Sequence, residues 1–165
     1  MAQWWKKYAE SREIKSFPFY QRNINIYATQ ENGNVLTRAS FVDPGHNIQL
    51  ELKVNLSNKE ILEAKAEMIH VPYKICNKTL AEVSRIIGLR IEHGITQKLT
   101  DIIGGASGCA HLCELVISTV KCVAPLTIGS EFRAFDWKEV ANLPEEEIIQ
   151  LMKPFLKNTC LAFKE

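Results

Sequence analysis

A chain of 165 residues, 46% hydrophobic and 24% charged, suits one domain, or one domain with a small appendage, and can bury a core. Its formal net charge of +1, with no Lys/Arg stripe, supplies no field for nucleic acid or an anionic membrane. Met1-Ala2-Gln3-Trp4-Trp5-Lys6-Lys7 is too polar for a signal peptide, and no stretch reads as the ~20 apolar residues of a membrane span, so a cytoplasmic location is expected.

In chain order, Ile24, Ile26 and Ala28 alternate with polar residues, and Glu31-Asn32-Gly33-Asn34 supplies a turn with a glycine able to take positive φ. Val35 to Val42 is a second candidate strand, closed by the Asp43-Pro44-Gly45 turn. Ile48, Leu50, Leu52 and Val54 alternate strictly with Gln49, Glu51 and Lys53, the pattern of a half-buried strand. After a turn at Ser57-Asn58-Lys59, a fourth strand carries Leu62, Ala64, Ala66, Met68 and His70 on one face. Sequential strands with short turns imply an antiparallel meander of three to four strands.

The periodicity then becomes helical. Thr79-x-x-Glu82 reads as a capping box opening a helix with the stripe Leu80, Val83, Ile86 and Ile87, ended by Gly88. A shorter helix is expected over Thr96 to Ile103. The loop Gly104-Gly105-Ala106-Ser107-Gly108 leads into a third, with Leu112, Leu115, Val116, Thr119, Val120 and Val123 at helical spacing. Pro125 to Ser130 reads as a linker and Asp136-x-x-Glu139 as a second capping box. Pro144 and Glu145-Glu146-Glu147 open a last apolar helix that Pro154 should kink or shorten. The expected class is α+β, a meander followed by helices packed on one sheet face. Residues 1–124 form a single domain and residues 125–165 a helical C-terminal extension.

The five cysteines, Cys76, Cys109, Cys113, Cys122 and Cys160, should be thiols or metal ligands in a reducing compartment. Cys109 follows a glycine loop at a helix start, where free backbone N–H groups favour a thiolate, both nucleophile and metal ligand. Steps of ~100° per residue bring Cys113 to the same side as Cys109 and turn His111 roughly opposite. A joint Cys-His site therefore needs the helix to begin at about Ala110, and Cys113 reads as core. Cys76 also precedes a helix. His46 continues the phase of Ile48 and Leu50 and lies at the mouth of the sheet's core face, whereas His70 reads as core, His93 as surface, and Cys122 and Cys160 as packing.

Pro72-Tyr73-x-Ile75-Cys76, Ile87-Gly88-Leu89-Arg90-Ile91 and Gly104-Gly105-x-x-Gly108-Cys109-x-His111-Leu112-x-Glu114-Leu115, with the Asp43-to-Leu52 segment and its His46, resemble a bacterial family of unknown function over roughly residues 20 to 123. More remotely, Pro44-Gly45-His46 through Val54, with Ile61-Leu62-Glu63-Ala64-Lys65, is similar to NifU/IscU-type iron–sulfur cluster scaffold proteins. That resemblance implies a scaffold-like fold with ligands on three loops, near His46, Cys76 and Gly108-Cys109-x-His111. Here Pro44 replaces the scaffold's first cysteine, and His46 its aspartate.

Three functions follow as expectations. In the first, Cys76, Cys109, His46 and His111 form one site for zinc or an iron–sulfur cluster, with Gly104, Gly105 and Gly108 shaping a cofactor-binding loop. In the second, Cys109 is the nucleophile of a thiol enzyme with His46 or His111 as base. In the third, Trp4-Trp5 and the C-terminal helix dock a protein partner, with no role for nucleic acid or membrane.

Overall fold

A computed structural model describes residues 20–129, 137–158 and 160–164. The chain forms two compact units, residues 1–127 and 128–165. In the first, β1 (Asn23–Glu31), β2 (Asn34–Asp43), β3 (His46–Asn55) and β4 (Ile61–His70) form one sheet in sequence order, every pair antiparallel. A 3₁₀ segment (Lys74–Ile86), α1 (Ile95–Ile103) and α2 (Ala110–Gly129) follow. This is the expected α+β meander with helices after it.

The hairpins obey local turn chemistry. Asn32 and Gly33 both take positive φ, 48° and 76°, matching a two-residue turn whose twist suits the strands it joins. Val35, Thr37, Ala39 and Phe41 of β2 and Ile48, Leu50, Leu52 and Val54 of β3 are buried, because residues two apart share a sheet face. Buried Thr37 spends its hydroxyl on both the N–H and the carbonyl of Leu52, each at 3.2 Å. Leu99 and Ile103 of α1 and Leu112, Leu115, Val116, Val120 and Val123 of α2 join the same core. Taking each such side chain out of water stabilises the fold by about 2 kcal/mol.

Three expectations are corrected. Residues 74–86 form a 3₁₀ helix rather than an α-helix opened by a capping box. Asn77, Thr79 and Ser84 each bond the carbonyl three residues back, on Lys74, Cys76 and Ala81. Val83 and Ile86 turn inward at the three-residue period of that helix, with half-buried Leu80 before them, whereas Ile87 is exposed. Gly88 does end the segment at φ 88°, and its N–H bonds Ile61 O at 2.8 Å. Pro125 lies inside α2, which continues to Gly129 where a linker was expected. The apolar register of α2 carries through Val123 to buried Thr127, and its hydroxyl bonds Ala124 O. The segment Ala110–Thr127 is also long and apolar enough to cross a membrane, contrary to the expectation from composition. Its residues are 44% buried within the protein, so much of that apolar surface is core.

The second unit contains α3 (Trp137–Val140) and α4 (Glu145–Leu156), with Pro144 at the helix start and three carboxylates in the first turn of α4. Ile148, Ile149, Leu151 and Met152 are half-buried, and α4 ends two residues after Pro154. Cys122 and Cys160 are exposed rather than packed. Trp4, Trp5 and Asp136 lie outside the described residues.

Candidate functional site

The β2–β3 turn builds half of a polar cluster. Asp43 and His46 are its closing pair, so two residues of turn bring a carboxylate and an imidazole together. Asp43 Oδ1 accepts the Gly45 N–H at 2.8 Å, an Asx turn, and lies 2.9 Å from His46 Nδ1. Asp43 Oδ2 accepts the Tyr20 hydroxyl at 3.1 Å, and Arg22 Nη2 lies 3.9 Å away. The Asp43 side chain is only 3% exposed and that of His46 13%.

The other half comes from α2. That helix begins at Ala110, and the Cys109 carbonyl accepts the Cys113 N–H at 2.9 Å, so Cys109 is the cap and His111 the second helical residue. The His111 ring lies 3.8 Å from the His46 ring, centroid to centroid, tilted by 35°. Fully buried Phe41 stands edge-on to both, at 5.2 Å from His111 and 6.2 Å from His46. Arg22 lies over the same ring, its guanidinium carbon 4.9 Å from the Phe41 centroid and its Nη1 donating to Glu114 Oε2 at 3.0 Å. Ligand atoms of Asp43, His46 and His111 all fall within 4.8 Å of one another, the one such group of three or more among the described residues.

The electrostatics follow from burial and partners. Burial pushes the His111 imidazolium below the ordinary histidine range; His46 and Arg22 push the same way, while Asp43 and Glu114 oppose. Burial alone would raise Asp43, but bonds from His46, the Gly45 N–H and Tyr20 outweigh it and hold the carboxyl below its usual range. The linkage to stability has a definite sign. An unfolded chain protonates His111 first as the pH falls below the ordinary value of about 6.5, so the fold loses stability from there down towards the depressed folded pKa. Asp43 adds a loss deeper in acid, as the pH falls through its own lowered value. Metal-free protein should therefore show a falling urea midpoint from pH 7.5 to 5, and His111→Gln should flatten that slope. Equal slopes in the two proteins would contradict the assignment.

His46 and His111 converge. Cys109 is half-buried and packed against the core beside the glycine loop, and Cys76 is half-buried in the 3₁₀ segment; neither belongs to the group of close ligand atoms. Cys113 is 7% exposed, and burial pushes its thiol up although a Thr100 bond opposes this, so it stays a core thiol. The glycines line the seam between α1 and α2. A Cβ on Gly104 would lie 2.7 Å from Thr100 O, and one on Gly108 1.9 Å from Ile103 O. That close approach is a packing reason for both residues. Gly105, at φ 72°, is exposed, and with Gly104, Cys113 and Lys121 it borders an open recess of about 450 Å³. Sequence reasoning missed Arg22 and Phe41 and gave Asp43 and Glu114 no role of their own, although Asp43 stands opposite His46 across a two-residue turn and Glu114 lies in the motif that carries His111.

The chain belongs to the family described as protein of unknown function (DUF2889), which it matches over residues 22–124. That span contains every residue of the cluster except Tyr20. Neither a curated protein nor a solved structure matches the chain, and no likeness to NifU/IscU scaffolds is shown.

Proposed function

We propose that this member of a family of unknown function binds a divalent transition-metal ion, zinc being the natural choice, through His46 and His111. The observation that carries the reading is His46 Nδ1 bonded at 2.9 Å to a carboxylate only 3% exposed, with a second imidazole 3.8 Å away. A metal-ligating histidine typically donates its other N–H to a carboxylate, which fixes the tautomer and raises basicity. Asp43 fits that orienting role better than direct ligation, because both its oxygens already accept hydrogen bonds. Burial of His111 supports the same reading, since only the neutral imidazole has a lone pair to give. Imidazole donors suit zinc, cobalt, nickel and copper rather than magnesium or calcium. An iron–sulfur cluster draws no support from this cluster, since it wants thiolates and the close group contains no cysteine.

Titration of metal-free protein with cobalt(II), followed by visible absorption and calorimetry, tests the proposal. A single equivalent is expected to bind, and His46→Gln and His111→Gln each lose it. Asp43→Asn weakens binding roughly 10–100-fold. Cys109→Ser leaves affinity and spectrum unchanged, with no sulfur-to-cobalt charge-transfer band in either protein. Wild-type binding no tighter than that of the double histidine variant overturns the proposal.

A further inference from the structure

Arg22 is held in an unusual place for a surface arginine. Its guanidinium lies over the ring of Phe41, which stands edge-on to both imidazoles, and its Nη2 is 3.9 Å from Asp43 Oδ2 beside His46. Nη1 donates to Glu114 at 3.0 Å and Nη2 to the Tyr20 hydroxyl at 3.2 Å. A guanidinium carries five N–H donors in a rigid fork matched to carboxylate and phosphate, so these two bonds leave capacity. The side chain is 36% exposed, and that of Glu114 43%. The fork is therefore fixed by its neighbours yet reachable from water.

The charge balance sets what can approach. Two carboxylates, Asp43 and Glu114, face one guanidinium, Arg22, which leaves one net negative charge among these three side chains. A divalent ion at the histidines reverses that sign. Anions are thus disfavoured by the metal-free cluster and attracted by the loaded one. Glu114 occupies part of the Arg22 fork from the exposed rim, where an incoming anion competes with it.

Resting on the metal-binding reading above, we infer that the loaded site takes a small molecule bearing a carboxylate or phosphate. One anionic oxygen meets the metal and another the Arg22 fork. Arg22 is the recognition residue and Glu114 its competitor.

Cobalt(II)-loaded protein titrated with acetate and, separately, with phenyl phosphate tests this, and the tighter of the two identifies the head group. Saturable spectral change is expected with the loaded wild type, and no heat of binding for either anion with metal-free protein. Arg22→Gln should weaken anion affinity about 10-fold or more while cobalt still binds, because charge-assisted bonds are lost. Arg22→Lys should recover only part, lacking the fork. Glu114→Gln should act in the opposite direction and strengthen anion binding several-fold. Equal anion affinity in wild type and Arg22→Gln, or equal binding by metal-free protein, overturns the inference and leaves the metal site standing. Failure of cobalt to bind at all overturns both.

Discussion

Gly108→Ala is expected to destabilise the first unit by about 3 kcal/mol or more, at the upper end for overpacking. The added Cβ would sit 1.9 Å from Ile103 O and 2.4 Å from Gly104 O. Both are backbone atoms at the end of α1, which cannot rotate aside as a side chain can. The N–H of the next residue, Cys109, bonds the same Ile103 carbonyl at 2.9 Å. Relieving the clash therefore moves the start of α2 and carries His111 away from His46, so metal affinity should fall together with stability. Gly105→Ala is the matched control: its Cβ meets nothing within 4 Å, but the residue sits at φ 72°, a conformation costing a non-glycine residue roughly 1–2 kcal/mol. Urea midpoints of the two variants decide the point. A Gly108→Ala loss no larger than that of Gly105→Ala would remove the packing argument.

Phe41→Ala is expected to cost about 3–5 kcal/mol, as for other fully buried aromatics. Phe41 is 0% exposed and stands between Ile24 and Ile48 on neighbouring strands, so truncation opens a cavity at the end of the sheet. Its ring also positions both imidazoles and the Arg22 guanidinium. Phe41→Leu separates the two roles. Leucine restores most of the volume, so stability should fall by about half of the alanine loss or less, while cobalt affinity still drops because the edge-on ring contacts are gone. A Phe41→Leu protein with wild-type cobalt affinity would show that the ring only fills space.

The sheet was legible because strand alternation is a local property. Ile48 to Val54 repeats with period two wherever the segment sits, and the turns at Asn32-Gly33 and Pro44-Gly45 carry their own backbone chemistry. The start of α2 at Ala110 was legible as a condition for freeing Cys109, and the burial of Cys113 followed from helical angle. The segment from Lys74 to Ile86 was not, because a stripe such as Leu80, Val83 and Ile86 satisfies periods of 3.0 and 3.6 alike over so few turns. Pro125 misled because proline usually ends a helix, yet helical packing carries through to Thr127.

The candidate site shows the same division more sharply. Local residue chemistry was sufficient to single out His46 and His111. It could not select between them and the cysteines, because each was judged by its own helix or strand. The pairing of Arg22 with Glu114 spans 92 residues, and that of His46 with His111 joins a hairpin turn to a helix start. Such contacts arise only when the buried faces of sheet and helix settle into one core, which fixes the distances between residues remote in sequence. Hydrophobic pattern thus determined the elements and which faces are buried. Packing of those faces determined that two imidazoles and a buried carboxylate meet.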